Sequence, residues 1–187
     1  FLTPAENIPV TIAHNDAQVS FRQSNSSEAF LQKGQETETD KQKGYIQLGS
    51  ILHAIFSKIR TQEDVPNALR TLEETDNIIT KEKLLALLHQ RLTDPRIAPW
   101  FTNRWTILNE CTILRYNPDT QRTEERRPDR VMMDEQKMVV VDFKFGTPHA
   151  EHQQQVRDYI QLLSEMHPQP IEGYLWYIFS NQIIPVK

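Results

Sequence analysis

Apolar positions along the chain change period twice, and the changes divide it into segments. Leu48, Ile51, Leu52, Ile55, Phe56 and Ile59 fall on one stripe at helical spacing and predict a helix over about 45–60. Asp64 and Pro66 suit the start of a second, with Ala68, Leu69 and Leu72 facing inward. Thr80 predicts the cap of a third, whose apolar side is Leu84, Leu85, Leu87 and Leu88 and which Asp94-Pro95 ends. From Trp105 the pattern becomes that of strands: Trp105–Tyr116, then a turn at 117–120 containing Pro118-Asp119, then Val131–Met133 and Val139–Val141. Val156, Tyr159, Ile160, Leu163 and Met166 restore helical spacing over about 150–166. Glu172–Phe179 and Ile183–Val186 read as the last two strands. A strand–helix–strand crossover demands at least one parallel pair, so the expected class is α/β with a mixed sheet, preceded by a helical region.

Residues 126–144 organise the rest. With Glu135-Gln136 as a two-residue loop, Val131–Met133 and Val139–Val141 pair so that Asp129 stands opposite Asp142. Side chains two apart on a strand share a face, so Lys144 joins the two acids, while Val131, Met133, Met138 and Val140 continue that face toward the turn. Opposed carboxylates repel unless water or a cation separates them. A hard divalent ion such as Mg²⁺ takes one or two carboxylates and keeps waters for chemistry. A Lys beside it holds an attacking water or offsets developing charge. The combination suggests metal-assisted phosphoester hydrolysis; a solvated hairpin bearing a surface Asp-Lys pair is the plainer account.

Other positions add to this site. His53 lies four residues after Gly49 on the first helix, as a metal ligand, a phosphate contact or an ordinary boundary His. A Gly inside a helix costs roughly 1 kcal/mol and points to a close approach there. Glu110 sits mid-strand as a candidate third acid. Arg122, Arg126, Arg127 and Arg130 form either a solvated face or a phosphate-backbone track. Gln155 and Tyr159 share one edge of their helix, though packing on the sheet also explains Tyr159. His149 and His152 read as exposed.

The 187 residues fit one domain with room for an appendage, and 38% apolar content with mean hydropathy −0.59 still allows a core. Net charge −4 (pI ≈ 5.9) argues against nucleic-acid binding through bulk charge, so such binding needs a local basic patch. The single Cys111 excludes an internal disulfide and a Cys-built iron–sulfur cluster and fits a reducing cytoplasm. No apolar run is long enough for a membrane span, and no Gly-rich phosphate loop ending in Lys-Ser or Lys-Thr marks an ATP motor. Residues 1–43, rich in Gln, Asn, Ser, Thr and Glu, read as a linker, with Phe21-Arg22 and Phe30-Leu31 as anchor points. The start at Phe1 suggests excision from something longer.

Gly49-Ser-Ile-Leu-His53, Glu110, Pro128-Asp129-Arg130, Val141-Asp142-Phe143-Lys144 and Gln155-Val-Arg-Asp-Tyr159 together resemble the RecB-like nuclease branch of the PD-(D/E)XK superfamily over about residues 45–180. The resemblance implies a restriction-endonuclease-like mixed sheet flanked by helices, with residues 44–187 as the nuclease domain. It implies His53, Asp129 and Asp142 as metal ligands with the Phe143 carbonyl as a further one, and Lys144 as the catalytic Lys, with Glu110 as an added acid. Gln155 and Tyr159 would touch DNA or the Lys, supported by Arg127, Arg130 and Gly49. It implies Mg²⁺, with Mn²⁺ as a substitute, no iron–sulfur cluster, and cleavage that leaves a 5′-phosphate and a 3′-hydroxyl. The implied setting is the C-terminal nuclease of an AddA- or RecB-type helicase–nuclease that processes DNA double-strand ends. Its partners would be single-stranded DNA or duplex ends, a superfamily 1 helicase joined through residues 1–43, and an AddB-like second subunit. Pro128 departs from the small apolar residue of many relatives and is expected to disturb strand pairing locally. The alternatives are a catalytically silent nuclease-like module that binds DNA or docks subunits, a free-standing nuclease of another pathway, and an α/β protein unrelated to nucleic acids.

Overall fold

The structure, a computed structural model, describes residues 38–70, 80–117 and 121–187, with side chains from residue 46 onward. Most of the expected linker, its two anchor points, Leu72 and the Pro118-Asp119 turn lie outside the described residues. Helix α1 (Glu38–Phe56) is followed by a 3-10 turn (Gln62–Asp64), α2 (Val65–Arg70), α3 (Lys81–Leu92) and a second 3-10 turn (Ala98–Phe101). Strands β1 (Thr106–Asn109), β2 (Ile113–Asn117), β3 (Arg122–Arg126), β4 (Arg130–Met133) and β5 (Met138–Lys144) precede α4 (Ala150–Met166), β6 (Ile171–Tyr177) and β7 (Gln182–Val186).

Five strands form one sheet in the order β1-β4-β5-β6-β7, in which only β5 and β6 run parallel. α4 makes that crossover, as the strand–helix–strand order requires. The expected mixed α/β fold is therefore present. The β4–β5 hairpin has the predicted register: Arg130 pairs with Val141 and Met133 with Met138, while Asp134 N–H bonds the Lys137 carbonyl across the Glu135-Gln136 loop. Alternation along the strands sends Met132, Val139, Val141 and Phe143 into a core with α1, α2 and α3, and Val131, Met138 and Val140 into a second core with α4. A Cβ at Gly173 would come within 2.5 Å of Ile160 Cδ1 and 2.8 Å of Val156 Cγ1, so its hydrogen lets α4 sit close on β6.

Several elements differ from expectation. α1 begins at Glu38 and ends at Phe56, not over 45–60, because the chain after Phe56 turns to meet the sheet. The single strand expected over 105–116 is two strands in different sheets. Glu110 takes a left-handed φ of 52°, which breaks the run, and β2 leaves to pair with β3 as a separate two-stranded ribbon. Leu85 and Met166, expected inward, are exposed, and Tyr159, Val156 and Leu163 carry the buried stripe of α4 with Leu162. Thr80 caps α3 as predicted, accepting from Lys83 N–H at 3.4 Å. β4 begins two residues after Pro128, and before it the Glu110 N–H to Asp129 carbonyl bond carries the contact between the strands.

Candidate functional site

Two residues at the β1–β4 edge explain how a helix and a sheet meet at one place. Asn109, the last residue of β1, donates through Nδ2 to the carbonyls of Phe56 (3.4 Å), Ser57 (2.9 Å) and Ile59 (3.2 Å). These carbonyls lie at and just beyond the end of α1, where the helix's own hydrogen-bond ladder stops. Arg130, the first residue of β4, reaches the same segment: Nη1 donates to Ile59 O and Asn109 Oδ1, and Nη2 to Arg60 O and Trp100 O. Its guanidinium lies 4.2 Å from the Phe101 ring centre, and its side chain is fully buried. The expected place of Arg130 on a DNA track is thus overturned; the neighbouring residue Asp129 faces the site, so Arg130 is sent to the opposite face.

Docking α1 in this way brings His53 to Glu110 and Asp129, which adjoin the two anchoring residues in sequence. His53 Nδ1 lies 3.6 Å from Asp129 Oδ1 and 3.9 Å from Glu110 Oε1. One ligand atom from each of the three falls within 4.8 Å of the others, a span that ligands at roughly 2.1–2.5 Å from one cation bridge. Burial, with Lys144 and Arg127 nearby, lowers the His53 pKa to about 4, so the ring is neutral at neutral pH with a lone pair to offer. Glu110, expected as a candidate third acid, is in this group. Gly49 is buried one turn earlier on α1.

Asp142 lies beside this group. Its Oδ2 is 2.6 Å from Lys144 Nζ, yet this buried oxygen receives no aligned hydrogen bond. Burial pushes the Asp142 carboxyl up in pKa despite the Lys144 charge. Burial and the Asp142 charge push Asp129 well up, although Phe143 N–H donates to its Oδ2 at 2.6 Å. Burial also raises Glu110, against the pull of Arg127, whose Nε sits 3.1 Å from Glu110 Oε2. A cluster of half-buried and buried carboxylates that resists ionisation, beside a neutral imidazole, is a donor set that a hard divalent cation fits.

Lys144 is held from two sides. Besides Asp142, its ammonium donates to Gln155 Oε1 at 2.9 Å; Gln155 Nε2 donates to Tyr159 Oη at 2.7 Å, and Tyr159 O–H donates to the Arg127 carbonyl at 3.3 Å. The expected Gln155–Tyr159 edge therefore meets the Lys directly. Phe143 contributes its N–H to Asp129, while its ring packs with Phe56 and Trp176. Of the arginines, Arg127 is exposed and paired with Glu110, whereas Arg122 and Arg126 lie on β3, away in the ribbon. Linear reading missed Asn109 and the structural use of Arg130, and it took His152 for exposed. His152 is half-buried and hydrogen-bonded, through Nδ1, to Tyr177 Oη at 2.9 Å.

The raised Asp129 pKa has a consequence for stability. An acid with a folded-state pKa above its unfolded value favours the fold when both states are protonated. That contribution is lost as pH rises from the ordinary carboxylate range through the folded pKa. At pH 7 without metal, Asp129→Asn is therefore expected to raise the melting temperature, by roughly 2–4 °C for each kcal/mol relieved, with the gain shrinking toward pH 4. Thermal unfolding with EDTA and with added Mn²⁺ checks this. A lower melting temperature for Asp129→Asn in EDTA, or equal stabilisation of both proteins by Mn²⁺, would contradict the assignment of Asp129 to a metal site.

Pro128-Asp129 just before β4 and Asp142-Phe143-Lys144 on the neighbouring β5, with the second acid joined to the Lys, make up the arrangement on which comparison with known proteins bears. No curated protein matches the chain. The family model of the PD-(D/E)XK nuclease superfamily does, over residues 24–181, which include every site residue described above. With that match over most of its length and this fold beneath it, the chain belongs to the PD-(D/E)XK nuclease superfamily.

Proposed function

We propose that this chain is the metal-dependent nuclease domain of a helicase–nuclease of the AddA/RecB kind, hydrolysing phosphodiester bonds of single-stranded DNA as double-strand ends are processed for recombinational repair. The observation that carries the reading is the Lys144 ammonium, fixed between Asp142 Oδ2 at 2.6 Å and Gln155 Oε1 at 2.9 Å beside the His53–Glu110–Asp129 group. His53, Glu110 and Asp129, with Asp142 adjoining, would hold Mg²⁺, or Mn²⁺ in its place. When bound, the cation supplies a water of lowered pKa and a Lewis acid for the phosphoryl oxygens.

The protein's own groups do the rest. Lys144 sets a positive charge where negative charge develops on the phosphorus centre. Asp142 and Gln155 prevent that charge from swinging away, and Tyr159 holds Gln155 from the other side. Asp142 stays aimed at the site because β5 is the central strand, paired on both sides. Arg127, exposed next to Glu110, is placed to meet DNA phosphate. The products expected from the superfamily likeness are a 5′-phosphate and a 3′-hydroxyl. The RecB-like assignment is supported by the helical His53 and by the Gln155–Tyr159 pair on α4. In this reading residues 1–43 lead from a superfamily 1 helicase, an AddB-like subunit is the partner, and the complex works in the cytoplasm. Among the described residues no helix is long and apolar enough to cross a membrane.

The test is cleavage of single-stranded DNA with Mg²⁺ or Mn²⁺ by the wild type and by Asp142→Ala and Asp142→Asn. Cleavage lost in both variants, with the fold retained by circular dichroism, is expected; cleavage retained in either would refute the mechanism. If the wild type binds the metal in calorimetry but does not cut, the domain needs its motor to deliver DNA. Absence of metal binding would leave the silent DNA-binding or docking module.

A further inference from the structure

Lys144 and Tyr177 are register neighbours on the parallel strands β5 and β6, so their side chains stand side by side on the face covered by α4. Each is met by a residue from the first turns of α4: Lys144 by Gln155, and Tyr177 by His152, three residues earlier. The polarity of the second link follows from what each group can offer. Tyr177 is 1% exposed, and its hydroxyl lies 2.9 Å from His152 Nδ1. Its one proton needs an acceptor, since a buried donor left without one is costly. His152 Nδ1, 2.9 Å away, is the acceptor that the described residues offer. An imidazole that accepts at Nδ1 and is neutral carries its proton on Nε2. Burial, with Lys144 and His149 nearby, lowers the His152 pKa to about 4, which keeps the ring neutral. No described residue bonds Nε2.

The two histidines of this region are therefore opposite in character. Among the described residues nothing donates to the His53 ring, and it adjoins two carboxylates, so it has a lone pair for a cation. His152 has its lone pair occupied by Tyr177 and presents an N–H, which cannot ligate a metal but can donate to an anion.

We propose that His152, fixed by Tyr177 in its Nε2–H tautomer, is a DNA-positioning residue that donates a hydrogen bond to a non-bridging oxygen of the phosphodiester flanking the scissile one, on the Lys144 side of the site. The ligand class is the backbone of a single nucleic-acid strand. The inference rests on the nuclease reading for the identity of that strand.

The test uses the chain as described and a fluorescein-labelled single-stranded DNA oligonucleotide, with Ca²⁺ in place of Mg²⁺ for binding and Mg²⁺ for cleavage. His152→Ala is expected to weaken binding about tenfold, as the loss of a hydrogen bond to a charged group does, and to raise KM more than it lowers kcat. His152→Gln, which keeps an N–H near the Nε2 position, should return to within about threefold of wild type on the same scale. Metal binding by calorimetry should be unchanged in both. Nitrogen NMR of the wild type should show the proton on Nε2, Tyr177→Phe should mix the tautomers, and the oligonucleotide should shift the Nε2–H signal. A proton found on Nδ1, no shift on adding the oligonucleotide, or equal binding by wild type and His152→Ala each overturns the proposal, and the two wild-type spectra decide even if a variant fails to fold. A wild type that binds the oligonucleotide through His152 but binds no metal and never cuts it would uphold the proposal while removing the nuclease reading. A wild type that binds no oligonucleotide would overturn the proposal.

Discussion

Arg130→Ala is expected to destabilise the fold by about 3–5 kcal/mol, in the range seen when a buried charged residue is cut out of its hydrogen-bond network. The Arg130 guanidinium serves three backbone carbonyls and Asn109 Oδ1 at 2.8–3.1 Å, and those carbonyls belong to the chain leaving α1 and to the 3-10 turn at Ala98–Phe101. Truncation leaves these acceptors buried without that donor and opens a void against the Phe101 ring. Arg130→Met fills much of the void but donates nothing, so it is expected to fall nearly as far. Arg130→Lys presents a point charge on a flexible stem and cannot span four acceptors as a planar fork does. Urea unfolding read by tryptophan fluorescence measures all three. A midpoint shift worth under about 1 kcal/mol for Arg130→Ala would show that the network is dispensable. A phosphate-contacting arginine predicts a different result, namely unchanged stability and a shallower salt dependence of DNA affinity.

Arg130 also shows which parts of the fold were readable in the linear pattern. The β4–β5 register was legible because both of its determinants are local: a Val run that must face two cores, and a polar loop between Asp134 and Lys137. The pairing ends at Arg130 and Val141, one position short of the expected Asp129–Asp142 pair, and Asp129 meets β5 instead by accepting the Phe143 N–H. The role of Arg130 depends on carbonyls about seventy residues earlier, and those of Asn109 about fifty earlier. No spacing rule connects such positions, and an Arg beside three others in sequence reads as surface charge. The break at Glu110 was hidden for another reason. A left-handed φ is commonly announced by Gly or Asn, and here a Glu adopts it, where its N–H bond to the Asp129 carbonyl and its ion pair with Arg127 hold it in place. The separate β2–β3 ribbon follows from that break and was equally unreadable. His152 looked exposed because its partner, Tyr177, lies on a strand that packs beside it only after the crossover.

Lys144→Met is expected to separate catalysis from metal binding. Cleavage should fall by roughly 10²–10³-fold, the loss that follows removal of one preorganised group that stabilises transition-state charge. Metal affinity should move the other way. The Lys144 charge is felt at the neighbouring groups, where it lowers the pKa of His53 and opposes the upward shift of Asp129. A cation that suppresses protonation of a ligand also repels a divalent ion bound to it, so its removal favours occupancy. Calorimetry with Mn²⁺ should therefore show tighter binding to Lys144→Met, while Asp129→Ala binds more weakly. Gln155→Ala is the intermediate case. It leaves the ammonium in place through Asp142 alone, and it should lower kcat less than Lys144→Met does while leaving metal affinity near that of the wild type. If the surface-pair account were right, none of the three changes would alter metal binding. If instead Lys144→Met weakened the binding of Mn²⁺, Lys144 would be organising the ligands, and the charge-stabilising role assigned to it here would have to be given up.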